Sequence, residues 1–247
     1  MTVTKKDLAI LDKFDFAVQP VGVKFSVKRP DTVQRVGENM TFCQMLKRAQ
    51  EEDAFYVDIE NHTCEAGLYV LGQADAPEPF ISGEFGAGLK IFDAPRSASR
   101  LYLDLPKIGK GVVNYVAFSP LDKLPFDPDL LIILANVNQT EILLRAMSYK
   151  TGQMWQSKCT AAIGCAWIYI YPYLTGKLNY IVTGLGHGMK RRKLFPEGQQ
   201  LISIPFDLLS SILQTLRDMP WELPAYKPDG MEFVRKLLID LGITPPP

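Results

Sequence analysis

A chain of 247 residues, 47% hydrophobic and 22% charged, is long enough to bury a substantial core, and it predicts one large domain or two packed closely together. Basic and acidic residues number 27 each, so the formal charge is zero and the balance points to no nucleic-acid or membrane-surface partner. Residues 1–16 carry Lys5, Lys6, Asp7, Asp12 and Lys13, which interrupt the apolar run a secretory signal needs.

The predicted elements follow in chain order. Leu8, Ile10, Leu11 and Phe14 recur at helical spacing. Val21, Val23, Phe25 and Val27 alternate with small or polar residues, which predicts a half-buried strand closed by Pro30. Thr41 followed by Gln44 fits a capping box and opens a helix from 42 to about 52, with a strand at 55–59 after it. Asn61 or Thr63 caps a short helix over 64–71, ended by Gly72. Residues 77–106 are rich in glycine and proline and read as one or two short helices with loops.

Strands are expected at 112–118 and at 130–135, the second apolar throughout as a central strand should be. An amphipathic helix spans 136–149, and a long apolar helix runs from Ser157 or Lys158 to Tyr173. The apolar stretch 161–174 contains Pro172 and is too short to span a bilayer, so it reads as a core helix. Strands at 179–183 and 201–204 precede a helix over 206–216 that Pro205 introduces, and a last helix at 232–241 follows a Pro-rich linker. Strands and helices mix without strict βαβ alternation. The fold class is therefore α+β, a mixed β-sheet packed with helices in a single compact domain over residues 1–219. Residues 220–247 are expected to be the linker and a C-terminal helix packing on it.

The four cysteines are the most informative residues. No leader and no framework spacing accompany them, so they are expected to be reduced thiols in a cytoplasmic protein. Cys43 falls at the second position of its predicted helix, with Cys64 and Cys159 each in a first turn. A helix N-terminus favours a thiolate, and such thiols react or ligate metal. Cys165, six residues beyond Cys159, falls on a different helix face. No Cys-x-x-Cys pair occurs, which removes the common zinc-ribbon, ferredoxin and thioredoxin spacings. Packing as a small hydrophobe is the ordinary reading of any one of these residues.

Other groups are sparser. His62 and Cys64 stand two residues apart, an imidazole and a thiol able to act as a pair, with capping and packing as the bland alternative. His187 lies in a glycine loop, 184–188, that matches neither a phosphate-binding loop nor a dinucleotide fingerprint. With Lys190 and Arg191 that loop reads as an anion loop or lid against the default of a surface turn, and the basic run 190–193 as a solvated loop. Asn136 and Gln139 follow the apolar strand at its carboxyl end, where α/β proteins place ligands, although capping alone accounts for Asn136. The common hydrolase signatures are absent.

The succession Pro20-Val21-Gly22-Val23-Lys24-Phe25, Phe42-Cys43-Gln44, Asn61-His62-Thr63-Cys64-Glu65-Ala66-Gly67, Phe126-Asp127-Pro128-Asp129, Asn136-Val137-Asn138-Gln139 and Pro172-Tyr173-Leu174-Thr175-Gly176 resembles the domain of unknown function 169 family over roughly 8–216. The resemblance implies a prokaryotic protein of a family with many members from anaerobes and archaea. It also implies that thiols at Cys43, Cys64 and Cys165 recur, while Cys159 is peculiar to this chain. A further family cysteine has no counterpart in 184–191, so a four-cysteine cluster would need Cys159 or His62 as substitute. The family supplies no established activity.

Two functions compete, with enzymatic activity left open in both. The preferred one is a small-molecule or cofactor pocket built from Cys43, Asn61, His62, Cys64, Asn136, Gln139 and Gly186, the cysteines lining its wall. The alternative is a metal or iron–sulfur site on Cys43, Cys64 and Cys165 with a redox role. A homo-oligomer is compatible with either, and a pure interaction module has no specific feature behind it.

Overall fold

The computed structural model describes residues 5–183 and 186–245. The chain begins with α1 (Lys5–Leu8) and a 3-10 helix (Ala9–Phe14), then β1 (Val21–Ser26), β2 (Gln34–Arg35), α2 (Phe42–Glu51) and β3 (Phe55–Val57). Four helices follow, α3 (Glu65–Val70), α4 (Glu78–Ile81), α5 (Glu84–Gly88) and α6 (Pro95–Asp104). Next come β4 (Tyr115–Pro120), β5 (Leu130–Ala135), α7 (Val137–Ser148), a π-helical run (Ala166–Ile170) and α8 (Tyr171–Thr175). The chain closes with β6 (Asn179–Val182), α9 (His187–Arg191), β7 (Gln200–Pro205), α10 (Phe206–Asp218) and α11 (Gly230–Asp240).

The seven strands form one mixed sheet in the order β2-β3-β4-β1-β5-β7-β6, antiparallel except for the β2–β3 pair, and the fold is α+β. β1 sits in the middle, with Val21 opposite Pro120 of β4 on one side and Ile132 of β5 on the other. The predicted strands at 21–27 and 55–59 share this sheet without touching, because β4 lies between them.

All six residues of β5 are buried, which is why its sequence is apolar without alternation. Leu130, Ile132 and Leu134 feed one core, together with α2, α6 and the π-helical run. Leu131, Ile133 and Ala135 feed a second core on the opposite face, closed by α7, α10 and the N-terminal 3-10 helix. Each large aliphatic side chain removed from water in this way contributes about 1.5–3 kcal/mol.

The long apolar helix expected from Ser157 or Lys158 is shorter than its hydropathy suggests: the helical path begins at Gly164. Buried Asn179 explains the difference. Its Oδ1 accepts from the Lys158 N–H at 2.8 Å and its Nδ2 donates to the Lys158 carbonyl at 2.9 Å, which takes both groups away from a helical ladder. The same Nδ2 donates to the Trp167 carbonyl at 2.8 Å. Pro172 has no N–H to close a normal turn, and the wide-turn run Ala166–Ile170 sits directly before it.

No helix among the described residues is long and apolar enough to cross a membrane. Helix α11 lies mainly against the short turn Pro224–Tyr226 and leaves Met231, Phe233, Leu237 and Ile239 exposed.

Candidate functional site

Three chain segments begin helices around one hollow. At the first, the Thr41 N–H donates to Gln44 Oε1 at 3.0 Å, the expected capping box, and this pins the first turn of α2. Phe42 points into the core, stacked on Tyr169 with ring centroids 4.1 Å apart. Cys43 follows it, with the Thr41 hydroxyl 3.3 Å from its sulfur.

The second segment carries Asn61, His62 and Cys64. Asn61 Nδ2 donates to the carbonyls of Val36 and Glu38, both at 3.1 Å, so this side chain ties the strand-to-helix loop together. His62 Nδ1 accepts from the Cys64 N–H at 3.4 Å, and its ring meets Phe42 edge-on. Its buried Nε2 has no partner among the described residues, and burial pushes its pKa down to about 4. Cys64 becomes the N-cap of α3. Gly67 is needed one turn later, because a Cβ there would run into the His62 ring.

At the third segment Ile163 adopts a positive φ of 55°, and the turn leads through Gly164 into Cys165. The structure thus moves the third helix-start thiol from Cys159 to Cys165. Cys159 lies before the helix, half-buried against the core, with its thiol donating to the Thr160 carbonyl at 3.5 Å.

Cys43, Cys64 and Cys165 all line one cavity of about 330 Å³. Its far wall comes from α4, α5 and α6. Gly83, at φ +84°, packs against the Pro95 carbonyl and lets α4 turn into α5, which stacks Phe80 on Phe85 at 4.5 Å. Leu101 and Tyr102 of α6 complete that wall. The mouth is formed by α9, fastened by the His187 N–H donating to the Ala161 carbonyl at 3.1 Å, and presents Gly186, Arg191 and Arg192.

The electrostatics reverse one expectation. Burial raises the Cys64 thiol above its ordinary pKa, Cys43 adding to the rise while Arg192 opposes it. Burial likewise holds Cys165 well above the usual thiol range, with Cys64 and Cys43 adding to the effect. Desolvation therefore outweighs the pull of the helix N-termini, and these two cysteines present neutral thiols at neutral pH. Tyr102 is also pushed up, to about 12, by burial first and then by Tyr69 and Cys165.

The structure brings together Cys43, Cys64, Cys165 and Gly186, and it separates the other candidates. Asn61 and His62 are buried and do not line the cavity. Asn136 and Gln139 do not belong to the pocket, because α7 packs on the opposite face of the sheet. Asn136 Oδ1 accepts from the Gln139 N–H at 2.9 Å, and Gln139 Nε2 donates to the Phe14 carbonyl at 2.8 Å, a cap that also anchors the N-terminal 3-10 helix. Gly184 and Leu185 of the glycine loop lie outside the described residues.

The metal or iron–sulfur expectation for Cys43, Cys64 and Cys165 gains no support from the structure. Among the described residues no group of three His, Cys, Asp or Glu side chains is placed to hold a metal ion. The three thiols line the same cavity, and Cys43 and Cys64 both act electrostatically on Cys165. Two contributors were only partly read from the sequence. Arg191 entered as part of an anion loop or lid beside the default of a solvated run that also held Arg192. Residues 77–106 entered as one or two short helices with loops but not as a cavity wall, although a cluster of aromatic and aliphatic residues between glycines was the available signal.

A family model described as Uncharacterised ArCR matches residues 9–215. An uncharacterized protein of Methanocaldococcus jannaschii is 23% identical over 212 residues, covering 85% of this chain and 89% of the relative. No solved structure matches the chain. The matched span takes in the whole cavity lining and ends before α11.

Proposed function

The chain belongs to the domain of unknown function 169 family, and we propose that it acts as a small-molecule-binding protein whose ligand occupies the cavity between α2, α3, α6 and α9. One observation carries this reading. Three separate helix starts deliver Cys43, Cys64 and Cys165 to the same apolar-walled hollow of about 330 Å³. That volume falls within the roughly 300–1,000 Å³ of small-molecule sites, which are mostly apolar with a few polar groups. The ligand's body would lie against Phe85, Leu101 and Tyr102, and the cysteine sulfurs would supply soft, weakly polar contacts.

The neutral fluorophore N-phenyl-1-naphthylamine tests the proposal. Its emission is expected to rise saturably with wild-type protein. Ala66→Trp, which projects a ring from the partly exposed start of α3 into the cavity, is expected to weaken binding at least tenfold at unchanged melting temperature. Asn136→Ala, on the other side of the sheet, should bind as wild type does. Equal binding by Ala66→Trp and wild type would place the probe elsewhere and sink the reading.

A further inference from the structure

Resting on that cavity reading, we infer that the bound molecule is an amphiphilic oxyanion, its apolar body inside the cavity and its charged oxygens held at the mouth by Arg191 and Arg192. Both guanidinium-bearing residues line the cavity, and neither enters an ion pair among the described residues. Of the other arginines, Arg35, Arg48, Arg145 and Arg217 bind carboxylates, whereas Arg29, Arg96, Arg100 and Arg235 are in no ion pair among the described residues and do not line this cavity. Arg192 is steadied by Nη1 donating to the Gly188 carbonyl at 3.1 Å, which leaves the rest of its donor fork available.

Among the lining residues the two arginines face a single acidic group, Glu65 of α3, so the described lining has one more guanidinium than carboxylate. The field of Arg192 reaches inward, since it favours the ionised form of Cys64. Lys190 and Lys193 flank the pair without an ion-pair partner of their own among the described residues, which adds to the positive potential outside the mouth. The interior offers the opposite environment. Phe42, Leu101 and Cys165 are buried there, and an ionised headgroup would be poorly solvated among them. A molecule satisfying both regions has an apolar tail and one oxyanion end, the group that arginine binds bidentately.

Displacement of N-phenyl-1-naphthylamine by octanol, octanoate and octyl phosphate separates charge from apolar contact. Octanoate or octyl phosphate is expected to displace the probe at roughly tenfold lower concentration than octanol, and the stronger of the two identifies the headgroup. The preference should shrink at about 0.5 M salt, where the partly exposed guanidiniums are screened. It should vanish in the double variant Arg191→Gln/Arg192→Gln, where displacement by each anion is read relative to octanol on the same protein. Displacement by octanol equal to both anions in the wild type overturns the inference while leaving the cavity reading intact. An anion preference that survives in the double variant overturns the assignment to these arginines. Absence of probe binding overturns the cavity reading and the inference with it.

Discussion

The two faces of the sheet are covered in different ways. On one, α7 of 12 residues and α10 of 13 lie along the strands and bury Leu143, Leu209, Leu213 and Leu216 almost completely. On the other, α2 and the π-helical run pack just as tightly, but apart from α6 the layer outside them is made of short pieces. There α3, α4, α5 and α9 have 6, 4, 5 and 5 residues. A long amphipathic helix closes a continuous stripe over a core. Short helices jointed at glycine cannot keep one stripe in register, and the space they leave is the cavity. Both faces bury a core, and the jointed face also carries the candidate site.

Truncation should divide the two faces most sharply. Leu213→Ala, at a fully buried position of α10, is expected to cost about 2–5 kcal/mol in chemical denaturation. A loss near zero would mean that this core is far looser than its burial implies.

The jointed face has its own signature in acid. His62 is held neutral, with its folded pKa lowered from 6.5 to about 4. The unfolded chain takes up the proton first as pH falls, so the stability contributed by neutral His62 is complete above pH 6.5 and is lost on the way down to about 4. The loss should approach about 3 kcal/mol across that window. His62→Gln should flatten this limb in urea melts taken at each pH, and a flat wild-type profile would contradict a buried neutral imidazole.

A smaller effect marks the closed face again. Asn136→Ala should cost about 1 kcal/mol by removing a cap, and a loss of probe affinity in that variant would reopen the case for Asn136 as a ligand contact. The smallest stability change is expected at the cavity wall. Phe85→Ala removes a ring that is 46% exposed and should cost less than about 1 kcal/mol while lowering probe affinity. A larger stability loss than that of Leu213→Ala would erase the contrast between the faces.

The comparison also separates what could be read along the chain from what could not. Local signals transferred well. The uniform apolarity of 130–135 marked β5, the Thr41–Gln44 box marked the start of α2, and the Asn136–Gln139 spacing marked α7. The site was half legible: Cys43 and Cys64 sit at helix starts as their neighbours implied, whereas Cys159 and Cys165 exchanged roles. That exchange depends on Asn179, far along the chain, capturing the backbone of Lys158.

Sequence alone determined the α+β class, most strands and helices, the family, and the cysteines as residues worth following. Those properties depend on periodicity and caps, which act between residues a few positions apart. Only the tertiary structure decided which cysteines share a cavity, that Asn136 and Gln139 serve the opposite face, and that Arg191 and Arg192 line that cavity. These outcomes rest on contacts such as Tyr169 to Phe42 and Gln139 to Phe14, separated by 127 and 125 residues. A pattern of near neighbours carries no information about which distant surface will cover it, and packing alone settles that choice.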